Sequence, residues 1–245
     1  MNGPDVTGLD RARSFGAAVG AYELGRPGYA AAHVAWLLDG VGGRVLDLAA
    51  GSGKLTRVVI DLGFDAVAVD PDEKMLSRVE APTMVGTAEA IPLQDDSVAA
   101  VTVGQAWHWF DPNAAGPEIA RVLTPGGRLG LVWNIRDVRQ PFVAALAEVM
   151  GPSPAEAMID GDAVQPVPGF TAFERRRFET VRMITPEALE ALVTSRSHWL
   201  VAAPATQAAV LSDVRQLVAT HPHSAGRRLF EFEMVTACYR ADALY

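Results

Sequence analysis

The stretch RVLDLAAGSGKLTRVV, Arg44 to Val59, followed shortly by VAVDP, Val67 to Pro71, carries the reading of the fold. Its first residues, Arg44 to Ala49, form an apolar run interrupted by Asp47. Gly51 and Gly53 then let the backbone pass close to a ligand, because a residue without Cβ leaves room for that approach. From Gly53 to Leu62 the pattern turns helical. Working outward, short Val- and Leu-rich runs alternate with helix-length amphipathic segments as far as Trp133, which predicts βαβ units and a parallel sheet. The predicted strands are Arg44 to Ala49, Ala66 to Asp70, Thr83 to Gly86, Val98 to Val103 and Arg128 to Trp133. Each is nearly continuous in apolar character, as a strand covered on both faces should be. Further helices are predicted at Asp72 to Val79 and Pro112 to Leu123, the latter stopped by Thr124-Pro125-Gly126-Gly127.

Beyond Trp133 the alternation loosens. Pro141 to Met150 reads as a helix, Gly151 to Gly169 is rich in proline and glycine, and Phe173 to Met183 suggests a strand. Pro186 to Ser195 and Pro204 to Ala219 read as helices, with Thr185 as N-cap before Pro186. Arg228 to Tyr239 alternates as a late strand, expected antiparallel at the edge of the sheet. The chain is thus read as one α/β domain, a Rossmann-like, mostly parallel seven-stranded sheet with helices on both faces. Within it we expect an N-terminal helical cap (1–43), a cofactor-binding core (44–134), a substrate-lid region (135–220) and a terminal strand (221–245).

The composition narrows the function classes. With 245 residues, 49% hydrophobic and 20% charged, there is chain enough for one sizeable core. Lys+Arg 21 against Asp+Glu 29, a net charge of -8, provides no broad basic footprint for nucleic acid. Cys238 is the single cysteine, which excludes a disulfide framework or a multi-thiolate metal site within one chain. The N-terminal residues lack the apolar core of a signal peptide, and no stretch approaches the length of a membrane span. These features point to a cytoplasmic protein, monomer or homodimer, working on a small molecule away from membranes and nucleic acid.

Three cofactor classes compete for the loop Asp47 to Lys54. A dinucleotide fingerprint needs a third small residue, but Gly51-Ser52-Gly53 is followed by Lys54-Leu55-Thr56. A P-loop needs Ser or Thr after Gly-Lys and an earlier glycine, whereas Leu55 follows Lys54 and Leu48 occupies the glycine position. What fits is a loop with its own negative charge, Asp47, beside a cofactor carrying an ammonium and a sulfonium but no phosphate: S-adenosyl-L-methionine. Asp70, 23 residues after Asp47 at the end of the next strand, stands where a carboxylate accepts both ribose hydroxyls.

At these residues the chain resembles the class I S-adenosylmethionine-dependent methyltransferases, and within them the small-molecule branch similar to trans-aconitate methyltransferase. The matching blocks are YELGRPGY (Tyr22 to Tyr29), VLDLAAGSGKLT (Val45 to Thr56), VAVDPDEKML (Val67 to Leu76), GTAEAIPLQDDSVAAVTVGQAWHWFD (Gly86 to Asp111) and EIARVLTPGGRLGLVWNIRD (Glu118 to Asp137). One position departs: Ala49 stands where the family's loop usually has the glycine of Asp-x-Gly. The resemblance implies that Asp47, Ala49, Gly51 and Gly53 line the methionine moiety, that Asp70 holds the ribose, and that Pro71 and Met75 flank the nucleoside. It implies Ala88 and Glu89 beside the adenine and Gln105 at the amino-acid end. Tyr22 and Arg26 would close over the cofactor, and S-adenosyl-L-homocysteine would be the product. Each assignment has a plainer competitor: Asp47 and Asp70 as ordinary strand-end acids, Glu89 as a solvated loop acid, Arg26 as the partner of a surface carboxylate.

Trp107-His108-Trp109-Phe110 follows the fourth predicted strand, where open α/β sheets place ligands. Trp107 and Trp109 read as pocket residues for the acceptor and His108 as general base or hydrogen-bond partner; the alternative is an aromatic plug around a core histidine. Arg136 and Arg196 are candidates for binding an anionic substrate bidentately, or else scaffold arginines. His221-Pro222-His223 lacks metal-ligand spacing and a carboxylate or thiol partner, so no metal is expected. The function expected is methyl transfer to a small-molecule acceptor through an oxygen, carboxylate or hydroxyl. Two rivals remain: a protein that binds S-adenosylmethionine without transferring methyl, and a nicotinamide oxidoreductase, disfavoured by Thr56.

Overall fold

The computed structural model describes residues 28–151, 153–160, 164–196, 199 and 202–245. Its elements in order are α1 (Ala31–Leu37), β1 (Val45–Leu48), α2 (Lys54–Asp61), β2 (Ala66–Asp70), α3 (Glu73–Leu76), β3 (Thr83–Val85), β4 (Val98–Gly104), a 3-10 turn (Trp107–Trp109), α4 (Pro112–Val122), β5 (Leu123–Arg136), α5 (Pro141–Met150), α6 (Pro154–Asp160), β6 (Glu174–Ile184), α7 (Pro186–Thr194), α8 (Pro204–Thr220) and β7 (Phe230–Asp242). The strands form one seven-stranded sheet in the order β3-β2-β1-β4-β5-β7-β6. Strands β1 to β5 pair in parallel. β7 runs antiparallel to both β5 and β6.

The fold class is therefore the one expected, and most elements fall where the periodicity puts them. Asp111 and Thr185 cap α4 and α7 by accepting from Asn113 and Ala188 backbone N–H, each ahead of a proline at the first helical position. Three differences have physical causes. The late strand β7 is not the edge. It lies between β5 and β6 and is buried along most of its length, because Phe230, Phe232 and Met234 pack one way and Val235, Ala237 and Tyr239 the other. The edge is β6, whose Arg175, Arg176, Arg177 and Arg182 suit a strand with one side open to water. At the opposite edge β3 is exposed, with Val85 at 57%, rather than covered on both faces. The helix expected over 72–79 is one turn, Glu73–Leu76, fixed by Asp72 accepting from Lys74 and Met75 N–H.

The core has three parts. One face of the sheet buries Leu129, Leu131 and Trp133 against Ile119, Val122 and Trp107. The other buries Val132 and Cys238 under Val34, Leu37, Leu55 and Val59 of α1 and α2. A separate cluster joins α5, α7 and α8 to Ile184, Phe230, Phe232 and Met234, so the segment after β5 builds its own apolar unit over the β6–β7 end. Strand order reverses between β1 and β4, and the carboxyl ends of the strands at such a switch point are where open α/β sheets bind ligands.

Candidate functional site

The loop after β1 is held by acids and by left-handed backbone. Ala49, Gly51 and Gly53 have φ of 59°, 56° and 81°. A Cβ on Gly53 would lie 3.1 Å from the Val79 side chain, so a larger residue there would be strained in its dihedral and would crowd Val79. Ala49 adopts without glycine the conformation its family position favours, at a cost of roughly 1 kcal/mol. Gln105, just past β4, is also left-handed, at φ 59°. Its backbone N–H donates to Val132 C=O at 2.9 Å and its side-chain amide to Asn134 C=O at 2.8 Å. Strain of this kind in non-glycine residues concentrates at functional sites; among the described residues Ala49 and Gln105 follow the carboxyl ends of β1 and β4, while the third, Asp96 at φ 51°, lies in the turn before β4.

Asp70 organises the loop. Its Oδ2 accepts from Gly51 N–H and its Oδ1 from Asp72 N–H, both at 2.8 Å. The second acid thus ties β2 to the glycine turn, and each oxygen keeps a lone pair for a ligand hydroxyl. Burial raises its pKa, against the two backbone donors. Asp47 is 1% exposed. Its Oδ2 accepts from the Thr56 hydroxyl at 2.6 Å, while Oδ1 is buried without a partner. Burial pushes its carboxyl up to about 7, the Thr56 bonds opposing and the charge of Asp70 adding to the rise. A buried acceptor left open beside a glycine turn is a place made for a donor, and a cationic donor would also relieve the burial of the charge.

The remaining positions fall around this centre. Pro71 is half-buried, Glu89 is exposed, and Met75 and Ala88 are buried at 3% and 4%. The Glu89 loop is fixed by residues the sequence did not single out. Glu118 accepts from Ile91 N–H, and Arg121 donates to the Ile91 and Leu93 carbonyls, to Glu118 and to Asp95. Tyr29 is another such residue: a Cβ on Gly104 would come within 2.5 Å of its hydroxyl, so the glycine ending β4 makes room for that ring. Tyr22 and Arg26 lie outside the described residues.

The residues expected to face the acceptor, Trp107, His108, Trp109 and Arg136, lie at the ends of β4 and β5. Trp107 is 2% exposed and packs edge-on against Phe110 in the core, whereas His108 and Trp109 are half-buried. Trp133, wholly buried, donates its indole N–H to His108 Nδ1 at 3.4 Å. Arg136 is 4% exposed. Its Nε lies 2.7 Å from Glu156 Oε1, its Nη2 pairs with Glu156 Oε2, and Nη2 also donates to the Gly151 carbonyl at 3.2 Å. The fork expected to clamp a substrate thus clamps Glu156, and Nη1 is buried without a partner. Arg196 approaches the same carboxylate, at 3.6 Å. Burial works against ionised Glu156, but the two arginines outweigh it and hold its pKa below the usual range.

His33, His221 and His223 sit elsewhere. His33 stacks on Phe178 at 4.1 Å, its pKa lowered by burial and by Arg176. His223 Nε2 lies 2.7 Å from Glu231 C=O. Among the described residues no group of three or more His, Cys, Asp or Glu could hold a metal ion, and no helix is long and apolar enough to cross a membrane.

Comparison with known proteins bears on what this site belongs to. The methyltransferase-domain family profile matches residues 46–131, the span of the glycine loop, Asp70 and the aromatic turn. An uncharacterised methyltransferase of Mycobacterium tuberculosis is 48% identical over 242 residues, covering 95% of this chain and 96% of the relative. A solved structure from Anaeromyxobacter dehalogenans shares the fold with TM-score 0.67 at 21% identity, covering 89% of this chain and 98% of that one. A phosphoethanolamine N-methyltransferase of Haemonchus contortus, solved with S-adenosylhomocysteine, does so with TM-score 0.55 at 15% identity, over 97% of this chain and 59% of that one.

Proposed function

We propose, since the chain belongs to the class I S-adenosylmethionine-dependent methyltransferases, that it binds S-adenosylmethionine at the carboxyl ends of β1 and β4 and moves the methyl group to an oxygen of a small-molecule acceptor. The observation that carries this reading is the buried, unpartnered Oδ1 of Asp47 beside the left-handed turn Ala49 to Gly53. That oxygen would accept from the cofactor's ammonium. Asp70, already bound to Gly51 N–H, would take the ribose. Pro71 and Met75 would flank the nucleoside, Ala88 and Glu89 the adenine, and Gln105 the amino-acid end, with Tyr22 and Arg26 closing from the N-terminal side. The Haemonchus neighbour, which holds the demethylated product, supports the choice of cofactor.

When bound, the cofactor supplies an electrophilic methyl carbon on a sulfonium. The chain's own part is orientation, since holding two reactants in attack geometry lowers a barrier by up to roughly 7–11 kcal/mol. The segment 135–220, with its separate apolar cluster, would serve as a lid on the acceptor side of the 44–134 core. A net charge of -8 supports a small molecule over nucleic acid, and the likeness to trans-aconitate methyltransferase supports an acidic one.

Calorimetry on the purified protein tests the cofactor. S-adenosylmethionine and S-adenosylhomocysteine should bind while NAD does not, and Asp70→Ala should weaken both by at least tenfold. Tight NAD binding, or none by either sulfur compound, refutes the reading. Transfer of labelled methyl to a panel of small acids and phenols then separates an enzyme from a mere binder.

A further inference from the structure

Asn134, near the end of β5, joins three stretches that are far apart in sequence. Its Oδ1 accepts from the Thr236 hydroxyl at 2.7 Å, across 102 residues, and its Nδ2 donates to the Gly28 carbonyl at 3.0 Å, across 106. Its backbone carbonyl accepts from Gln105 Nε2 at 2.8 Å, across 29. A backbone carbonyl only accepts, which fixes the orientation of both amides. Asn134 must turn its nitrogen to Gly28, leaving its oxygen for Thr236. Gln105 must turn its nitrogen to Asn134, which sets its own oxygen on the other side. Thr236 is 2% exposed and faces Asn134 in the β5–β7 register, so the junction is built into the sheet. The chain entering α1 is held again at Tyr29: a Cβ on Gly104 would come within 2.5 Å of its hydroxyl and 3.2 Å of Leu55 on α2. Gly28 and Tyr29 therefore lie against the carboxyl ends of β5 and β4, where Gln105 follows.

We infer that Asn134 and Thr236 are positioning residues of the cofactor site: Thr236 fixes the Asn134 amide, and that amide holds Gly28 and Tyr29 across the ends of β4 and β5. This rests on the cofactor reading above. Gly28 comes two residues after Arg26, one of the residues proposed to close on the cofactor. Gln105, bound to the same Asn134, is the residue proposed for the amino-acid end. The pair adds little to the sheet itself, because backbone pairing already joins β5 to β7 from Arg128 to Arg136. What it adds is a fixed direction for the Asn134 nitrogen. Its part is to retain the ligand rather than to contact it. Loss of the anchor leaves the loop Asp47 to Gly53 and Asp70 in place, so capture of the cofactor is unchanged and release quickens.

Surface plasmon resonance of S-adenosylhomocysteine on the immobilised full chain tests this in the parent, Asn134→Asp, Thr236→Val and Thr236→Ser. Asn134→Asp keeps an acceptor for Thr236 but sets an oxygen against the Gly28 carbonyl. It should raise the dissociation rate about tenfold, with the association rate within about twofold of the parent. Thr236→Val, close in shape, should raise the dissociation rate about threefold, and Thr236→Ser, which keeps the hydroxyl, should leave it at the parent value. Should Asn134→Asp fail to fold, the valine and serine variants carry the test. Amide hydrogen exchange reads the anchor directly at His33 and Val34, whose N–H groups donate to Ala30 C=O at 3.0 and 3.3 Å. Both should exchange faster in free Asn134→Asp than in the free parent, and S-adenosylhomocysteine should slow them in the parent alone. Equal dissociation rates in the parent and the folded variants, a change confined to association, or serine behaving as valine overturns the inference. Failure of the parent to bind S-adenosylhomocysteine overturns the cofactor reading instead, and the exchange difference between the free proteins then still reports the anchor.

Discussion

Replacing Asp47 by asparagine should stabilise the free protein in alkali and leave it unchanged in acid. Asp47 lies at 1% exposure on β1, and burial lifts its carboxyl from the ordinary 3.8 to about 7. A gap of about three units at about 1.4 kcal/mol each is of order 4 kcal/mol. The folded state keeps the proton to higher pH than the unfolded chain does. Stability therefore falls as pH rises from about 4 to about 7, with the full penalty present above that. Asp47→Asn abolishes this titration while its amide oxygen still accepts from Thr56. Urea midpoints for parent and variant at half-unit steps from pH 4 to 8.5 give the difference directly. It should be near zero at pH 4, open through pH 5 and 6, and reach up to about 4 kcal/mol by pH 8. A difference independent of pH, or largest in acid, refutes the assignment of the buried charge. The same variant should lose cofactor affinity at pH 8, and the parent's affinity should fall about tenfold per unit below pH 7 as the carboxylate fraction drops.

Other expectations follow from particular contacts. Ala49→Gly should change stability by less than about 0.5 kcal/mol, because relief of the left-handed strain offsets the entropy of glycine, whereas Ala49→Val should cost about 1–2 kcal/mol by thermal melting. Gly53→Ala should cost a similar ~1–2 kcal/mol, through φ of 81° and the Val79 contact, and weaken cofactor binding in calorimetry. Glu156→Gln leaves Arg136 buried without its counter-charge and should cost about 3–5 kcal/mol at pH 7. Because the pKa of Glu156 is depressed, that loss should shrink only as pH drops below about 4. Arg121→Ala should speed amide hydrogen exchange across Ile91 to Ser97, the loop its guanidinium pins, while β1 and β2 keep their protection.

Much of the site was legible because its signals are local. Asp47, the two glycines and Asp70 lie within one βαβ unit, and the fold brings them together by strand pairing alone: Gly51 N–H reaches Asp70 because β1 and β2 are parallel neighbours in register. What was not legible depends on contacts between distant segments. Thr56 becomes the partner of Asp47 only when α2 lies back over β1. Trp133 reaches His108 across 25 residues, and Glu156 captures Arg136 across 20. A basic residue after a strand looks the same in sequence whether its fork faces a ligand or a buried glutamate.

By itself, then, the sequence determined the alternation of strand and helix, the parallel core and the phosphate-free loop chemistry, since hydrophobic period, glycine placement and charge act over a few residues. Only the tertiary structure decided that β7 is interior and β6 the edge. Both strands alternate, and which of them is covered depends on what packs upon it. It likewise decided that His108 accepts from Trp133 and that Arg136 is held by Glu156, because a hydrogen bond is fixed by the position of its partner in space and not along the chain.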